Sequence, residues 1–210
     1  MLLVGFFAAL GSLLFFAWLS SEVLRGRTLQ FDHLIRNAIH GIASARLTRA
    51  MMGVTQLGSL WVLIPMGMLF VATLLTAGRK RSALFFTIAA VGAIVLNEVM
   101  KLFFQRRRPD AFFGYYQPRS YSFPSGHSIE SACFFGVMAA ILAVRIQSRA
   151  GRAAVWGIAV LLAAAVGFSR VYLGVHYPTD VVAGYAAAVI WVGTIHTGYE
   201  FLQRRRAGRE

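Results

Sequence analysis

The chain has 210 residues, of which 58% are hydrophobic and only 14% are charged. Average soluble domains are about 45–50% apolar and about 25% charged, so this chain has more apolar surface than a soluble body of its size can bury. Its 21 Lys and Arg outnumber 8 Asp and Glu, for a formal net charge of +13. The composition excludes a disordered chain, collagen, a disulfide-rich secreted domain and an ordinary nucleic-acid-binding domain. It indicates an integral membrane protein, and we expect no nucleic-acid partner.

Six segments are apolar enough to cross about 30 Å of hydrocarbon as helices. They are residues 2–19, 54–77, 84–104, 129–144, 153–168 and 181–201. The first has no basic region before it and no small-residue cleavage site after it, so we interpret it as a span rather than a signal peptide. We therefore predict an all-α fold, a polytopic membrane bundle of six transmembrane helices in which residues 1–210 form one domain.

Residues 25–52, between the first two spans, mix apolar and polar side chains. The apolar ones recur at helical spacing, at Phe31, Leu34, Ile35, Ala38, Ile39 and Ile42. Polar residues, among them Asp32 and Arg36, fill the positions between them. This periodicity predicts an amphipathic helix that lies on the membrane surface.

Six spans place both termini on one side of the membrane. The loops of that side and the tail at 204–209 hold 10 Lys and Arg, and the opposite side holds 11, so the positive-inside rule alone decides nothing. If the basic residues at 101–119 and Arg170 bind an anionic substrate, they leave the count, and the side of the termini holds 10 Lys and Arg against 5 on the opposite side. This favours cytoplasmic termini and an extracytoplasmic site. The small size and the Ala- and Arg-rich composition are typical of a bacterial inner membrane protein.

Three polar segments lie on that second side, at 101–109, 123–128 and 169–180. Ionisable groups at membrane depth are costly, which makes them typical of functional sites. Taken singly, each segment has an ordinary explanation: basic anchors that reach toward headgroups, a turn into a helix, and a loop with a satisfied polar pair. Their position at one interface favours a shared site.

Spacing within the first two segments suggests how they contribute. Lys101 and Arg108 are seven residues apart, which would place them on one face of a helix that Pro109 then ends. In the second segment, Gly126 permits close approach of the backbone to a ligand. The start of the fourth span would direct N–H groups at an anion, and His127 can donate or accept a proton there.

The third segment contains a second histidine and an acid. Pro178 suits the first position of a helix, so Asp180 would fall in its first turn, where its carboxylate can reach back to His176. A carboxylate on one ring nitrogen fixes the tautomer and leaves the other nitrogen as a nucleophile. Arg170 adds a guanidinium with the fork geometry that suits phosphate.

Two histidines, one aspartate and several Lys and Arg are the groups that metal-free phosphoryl transfer requires. The clustered acids or acid and histidine sets of a divalent-metal site are absent from these segments. We therefore predict no metal and no cofactor.

The three motifs resemble the signature of the type 2 phosphatidic acid phosphatase (PAP2) superfamily. They read Lys101-x6-Arg108-Pro109, Pro124-Ser125-Gly126-His127 and Ser169-Arg170-x5-His176-x3-Asp180. The resemblance implies that His176 is the nucleophile that becomes phosphohistidine, that Asp180 orients it and that His127 protonates the leaving group. It also implies a set of phosphate ligands, namely Lys101, Arg108, Ser125, Gly126 and Arg170. Arg106, Arg107 and Glu130 have no role in the signature.

The resemblance implies a membrane lipid phosphatase that acts on undecaprenyl diphosphate, phosphatidylglycerol phosphate or phosphatidic acid, with membrane lipids around it. A lipid phosphotransferase and a lipid A phosphatase of the same family are the first alternatives. Two other classes stay open. An anion or lipid transporter would bind the phosphate without cleaving it, and an intramembrane serine protease would use Ser125 or Ser128 with a histidine. The oligomeric state is not predicted.

Overall fold

The computed structural model describes the backbone of residues 2–207 and the side chains of residues 7–198. All regular secondary structure in these residues is helical, which confirms the predicted fold class. The helices are α1 (Leu2–Leu24), α2 (Leu29–Gly41), α3 (Ala45–Gln56), α4 (Leu60–Thr76), α5 (Lys80–Phe104), α6 (Gly126–Ala143), α7 (Arg149–Tyr172) and α8 (Pro178–Ala207). The basic side chains at 204–209 and the end of the predicted sixth span, at 199–201, lie outside the described side chains.

Five of these helices, α1, α5, α6, α7 and α8, are long and apolar enough to cross a membrane. A sixth crossing exists if α3 and α4, which meet at a bend of 46°, form one span. The predicted six spans therefore fit approximately. The predicted second span, 54–77, is wrong at its start, because the chain leaves α3 after Gln56 and begins α4 only at Leu60.

The break between α3 and α4 has a packing reason. A Cβ at Gly58 would lie 2.4 Å from Cγ1 of Val166, so only glycine lets the chain pass α7 this closely. Ser59 follows in an extended conformation, as serine before a helix usually does. The predicted span runs across this break because Val54 and Leu57 before it are apolar, like Leu60 and Trp61 after it.

The outer surface of the bundle is apolar. Trp61, Leu69 and Phe103 keep 90%, 68% and 77% of their surface exposed. Such side chains suit contact with lipid, whereas a soluble protein would bury most of them. Inside, α6 is the central helix, packed against α5, α7 and α8. Its small residues, such as Ala139, let the helices approach closely.

The amphipathic segment forms two helices, α2 and α3, rather than the single surface helix that we predict from sequence. On α2 the polar face is the buried one, since Asp32 and Arg36 are buried and Phe31 is exposed. Arg36 Nη2 donates to the carbonyl oxygens of Asp110 at 2.7 Å and Gly174 at 3.2 Å. Helix α2 thus covers the polar loops of the bundle and presents its apolar face outward.

The prediction that Lys101 and Arg108 share a helical face is wrong. Helix α5 ends at Phe104, and Gln105 caps it in the left-handed conformation with φ of 48°. Residue 108 precedes Pro109, and a residue before proline is disfavoured in the helical conformation. Arg108 therefore reaches the site from the non-helical segment 105–125.

Candidate active site

The connection between α7 and α8 places a histidine beside an aspartate. Helix α8 begins at Pro178, and Asp180 lies in its first turn. Asp180 Oδ2 accepts a hydrogen bond from the backbone N–H of Tyr177 at 2.9 Å and lies 3.3 Å from Nδ1 of His176. Both His176 and Asp180 are buried. The acid therefore satisfies a free N–H group near the helix start and orients the imidazole with the same oxygen.

The contacts of His176 fix its tautomer. Nη1 of Arg108 lies 2.9 Å from Nε2 of His176. A guanidinium can only donate, so Nε2 accepts and carries no proton, which leaves the ring proton on Nδ1 facing Asp180. Burial lowers the pKa of His176 to about 3, although the hydrogen bond to Asp180 acts in the opposite direction. The imidazole is therefore neutral at pH 7, with a lone pair on Nε2.

This lowered pKa predicts that acid destabilises the protein through His176. In the unfolded chain the histidine titrates near 6.5, so below that pH the unfolded state binds a proton that the folded state excludes down to a pH of about 3. The stabilisation is fully present above pH 6.5 and is lost as the pH falls toward 3. The free energy of unfolding changes by about 1.4 kcal/mol per pH unit in this range, so it should fall by on the order of 2 kcal/mol when the pH is lowered from 7 to 5.

Melting temperatures of the detergent-purified protein at pH 7 and pH 5 test this prediction. The decrease should be smaller in His176→Asn than in the natural protein. His196→Asn, which replaces an exposed histidine on α8, should keep the full decrease. An unchanged decrease in His176→Asn would show that the folded protein does not hold this histidine neutral.

Two arginines, Arg108 and Arg170, lie close enough to His176 to affect its charge. Arg108 donates to the carbonyl oxygen of Val175 at 2.9 Å, and the buried Arg170 donates to Oγ1 of Thr55 at 2.8 Å while its Nε has no partner. Among the described side chains neither arginine forms an ion pair. Burial lowers the pKa of Arg108 to about 10, and the charge of Arg170 adds to this effect. An anion between two such guanidinium groups would relieve their repulsion.

Lys101 and His127 lie next to these two arginines. Lys101 is buried in the last turn of α5, and its Nζ lies 3.0 Å from Oε1 of Glu98, three residues earlier on the same helix. His127, in the first turn of α6, lies within electrostatic range of Lys101, Arg108, Arg170 and His176. The fold thus gathers residues from all three polar segments around one point.

Helix α6 begins at Gly126, and Ser125 precedes it as the N-cap residue. The first N–H groups of a helix have no acceptor within the helix and lie at the positive end of its dipole. A Cβ at Gly126 would lie 2.6 Å from Nδ2 of Asn97, so the glycine serves close packing against α5. Ser125 N donates to the backbone oxygen of Asp180 at 3.0 Å, and its Oγ accepts from Ser128 Oγ at 3.0 Å.

Three residues around Asp180 are missing from the sequence-based set of site residues. Ser122 Oγ donates to Oδ2 of Asp180. Arg106 Nη1 donates to Oδ1 of the same carboxylate at 2.6 Å, and its Nη2 donates to Oδ2 of Asp32 at 2.7 Å. The sequence shows Asp32 as an acid in an amphipathic helix and Arg106 as one of three consecutive arginines. Neither signal identifies the partner, because 74 residues separate Arg106 from each acid.

An apolar groove of about 500 Å³ lies between α4, α5 and α6, with Met68 and Phe134 among the residues that line it. Glu130 of α6 also lines it and accepts a hydrogen bond from Asn97 Nδ2 at 3.3 Å. Asn97 in turn contacts Gly126 at the start of α6. The groove therefore extends from the apolar helix surfaces toward the cationic site.

Comparison with known proteins gives the same assignment as the motifs. The family model of the PAP2 superfamily matches residues 81–204, a range that contains all three motifs. The chain belongs to the PAP2 superfamily. The resemblance that its motifs carry is therefore confirmed.

This PAP2 chain is similar to three groups of curated phosphatases. It is 33% identical to phosphatidylglycerophosphatase B of Bacillus subtilis over 84% of this chain and 87% of the relative. It is 33% identical to the undecaprenyl-diphosphatase of Sulfolobus acidocaldarius over 67% of this chain and 65% of the relative. Its identity to the lipid A 1-phosphatase of Rhizobium johnstonii is 37%, over 49% of this chain and 41% of the relative.

Two crystal structures share the PAP2 fold of this chain. The transmembrane PAP2 type phosphatidylglycerolphosphate phosphatase from Bacillus subtilis superposes with a TM-score of 0.85 at 30% identity, covering 92% of this chain and 96% of that one. LpxE of Aquifex aeolicus superposes with a TM-score of 0.59 at 25% identity, covering 79% of this chain and 93% of LpxE. The first match confirms the transmembrane helix bundle.

Proposed function

We propose that this PAP2 protein is a lipid phosphatase that transfers the phosphoryl group of a membrane lipid to His176 and then to water. The observation that carries the proposal is the environment of Nε2 of His176. This nitrogen has no proton, Asp180 holds the opposite side of the ring, and Arg108 donates to it. A lone pair beside guanidinium groups that form no ion pair among the described side chains is what attack on a phosphate requires.

In the first step, the substrate phosphate takes the place of the hydrogen bond between Arg108 and His176. Nε2 of His176 forms a bond to phosphorus while the bond from phosphorus to the lipid oxygen breaks, and His127 gives its proton to that oxygen. The charge on the phosphoryl oxygens is held by groups already arranged for it. These ligands are Lys101, Arg108, Ser125, Gly126 and Arg170.

In the second step, water attacks the phosphorus and the N–P bond breaks. His127, now without its proton, takes a proton from the water, and inorganic phosphate leaves. While the phosphoryl group is on Nε2, the ring keeps its proton on Nδ1 and carries a positive charge. The carboxylate of Asp180, 3.3 Å from Nδ1, stabilises that charge.

The substrate class follows from the apolar groove next to the cationic site. A prenyl or acyl chain fits between α4 and α5 while its phosphate lies near α6. Undecaprenyl diphosphate, phosphatidylglycerol phosphate and phosphatidic acid share this chemistry, and the named activities of the relatives support the first two. Lipid A is the next candidate. The hydroxyl of Ser128 donates a hydrogen bond to that of Ser125, and this pairing disfavours the alternative of an intramembrane serine protease.

Phosphate release from a panel of these lipids by purified protein tests the function, in excess EDTA and with His176→Ala as the matched control. We expect release without any divalent metal, because arginine and lysine side chains supply the positive charge. Loss of activity that magnesium restores would contradict the metal-free mechanism. Release equal to that of His176→Ala for every lipid would favour a transporter. Adding a lipid alcohol separates a hydrolase from a phosphotransferase, which would transfer the phosphate to that alcohol.

The orientation in the membrane is also a proposal, with cytoplasmic termini, an inner membrane location and the site on the extracytoplasmic face. Position 114 lies in the segment 105–125 beside the site, and position 149 begins α7 at the opposite end of the bundle. With Cys133 replaced, a membrane-impermeant thiol reagent on intact cells should label a cysteine at 114 and spare one at 149. Labelling at 149 alone would reverse the orientation.

A further inference from the structure

We propose that Asp32 and Arg106 are positioning residues that hold the carboxylate of Asp180 charged and turned toward His176. The proposal rests on the proposed function, in which Asp180 orients the nucleophile. It gives α2 a part in the active site, and it assigns a role to an arginine that the PAP2 signature leaves without one.

The guanidinium of Arg106 joins two buried acids. Its Nη1 donates to Oδ1 of Asp180 at 2.6 Å and its Nη2 donates to Oδ2 of Asp32 at 2.7 Å. Both carboxylates have no exposed surface, and the arginine side chain is only 10% exposed. Asp32 also accepts from the backbone N–H of Thr179 at 3.1 Å and from its Oγ1 at 2.8 Å. Helix α2 is thereby tied to the first turn of α8.

The division of the guanidinium between two acids determines which oxygen of Asp180 remains for the histidine. Arginine and a single carboxylate tend to form two parallel hydrogen bonds that occupy both oxygens. Here Asp32 takes the second nitrogen of Arg106, so Oδ2 of Asp180 is left for Tyr177, Ser122 and His176. Without Asp32, the guanidinium is free to turn and draw Oδ2 away from Nδ1.

Charge balance gives Arg106 its own function. Two buried carboxylates cannot both stay ionised without a nearby cation, because burial disfavours the charged form. Burial acts to lower the pKa of Arg106, but the charges of Asp180 and Asp32 outweigh it and raise that pKa, so the cation is permanent. If Arg106 were neutral, Asp180 would tend to take up a proton and could no longer stabilise the phosphorylated ring.

The test compares Arg106→Met, Asp32→Asn, the double variant and Arg106→Lys with the natural protein. Neither side chain contacts the phosphate in the proposed mechanism, so we expect kcat to fall with KM changed by less than about twofold. Replacing a residue that hydrogen-bonds a metal-bound histidine typically lowers activity or metal affinity by about 10–100-fold. We expect a loss of kcat of that order here, because Arg106 and Asp32 act on His176 through Asp180. The double variant should lose no more kcat than Arg106→Met, because the two residues act together.

Arg107→Met is the matched control. Arg106→Met and Arg107→Met both remove one positive charge, but Arg107 is exposed, and its variant should keep the natural kcat.

A second measurement does not depend on turnover. In protein labelled with ¹⁵N-histidine, the Nδ1–H of His176 should give a low-field proton signal, identified by its absence in His176→Ala. The signal should move upfield in Arg106→Met and in Asp32→Asn. Arg106→Lys keeps the charge but cannot bridge both acids, so it should fold and show a smaller shift and a smaller loss of kcat.

The proposal is overturned if Arg106→Met and Asp32→Asn keep both the low-field signal and the kcat of the natural protein. It is also overturned if KM rises while kcat holds, since that would place Arg106 among the phosphate ligands. If Arg106→Met does not fold, Arg106→Lys and Asp32→Asn provide the same comparison. Failure of the proposed function is separate, because it appears as equal phosphate release by the natural protein and His176→Ala while the histidine signal still reports on the positioning.

Discussion

His176→Ala is expected to abolish turnover on every phosphate ester, because the variant lacks the nitrogen that attacks phosphorus. Among the described hydrogen bonds of His176, the one hydroxyl is that of Ser122, which donates to Asp180 and faces Nδ1, on the far side of the ring from Nε2. Purified protein assayed with one alkyl and one aryl phosphate measures this loss. The loss of turnover should be the same for the enzyme in lipid vesicles and in detergent.

His127→Ala should fail in a different way. It removes the proton donor, and general acid catalysis typically contributes about 10²–10⁴-fold. The loss should be large for the alkyl ester, whose leaving oxygen needs a proton, and much smaller for the aryl ester, whose leaving group is a weak base. If His176→Ala retained activity on the aryl ester while His127→Ala lost all of it, the roles of the two histidines would be reversed.

Asp180→Asn is expected to lower kcat by about 10⁴-fold, the cost that the same change has in the Ser-His-Asp triad. The surroundings explain why an amide is a poor replacement. Both oxygens of Asp180 accept hydrogen bonds, Oδ1 from Arg106 and Oδ2 from the N–H of Tyr177. An amide NH₂ on either side would face a donor, and the tautomer of His176 would no longer be fixed.

The matched control for this prediction is Asp110→Asn, which removes an exposed carboxylate from the segment 105–125. It should keep the natural kcat. The melting temperature of each variant separates slow catalysis from misfolding. The low-field histidine signal should be lost in Asp180→Asn and kept in Asp110→Asn. A loss of kcat below tenfold in folded Asp180→Asn would mean that the carboxylate does not support the nucleophile.

Much of the site was predictable because its chemistry is local in the sequence. His176 and Asp180 are four residues apart across the start of α8, and the first turn of that helix brings the carboxylate back to the imidazole. Glu98 and Lys101 pair within α5 for the same reason. The apolar spans follow from composition, since a helix must satisfy its own backbone groups in lipid and its side chains must be apolar.

Local features with no hydropathy signal were not predictable. The break at Gly58 between α3 and α4 depends on how closely α7 approaches, and the residues next to it, Leu57 and Leu60, are both apolar. The end of α5 depends on the left-handed Gln105, a conformation that the residue type does not specify. Arg108 consequently reaches the site from a loop, although its spacing from Lys101 fits a helix.

By itself, the sequence determined the membrane bundle, the three motifs and the pairing of neighbours along one helix, because these depend on hydrophobic length and on spacing of a few residues. Only the tertiary structure decided that α2 buries its polar face and that Arg106 joins Asp32 to Asp180. Amphipathic periodicity shows that a helix has two faces, but not which of them is buried. The polar face is the buried one because Asp32 forms an ion pair with Arg106, which lies 74 residues away in the sequence. Only the folded chain brings the two side chains within hydrogen-bonding distance.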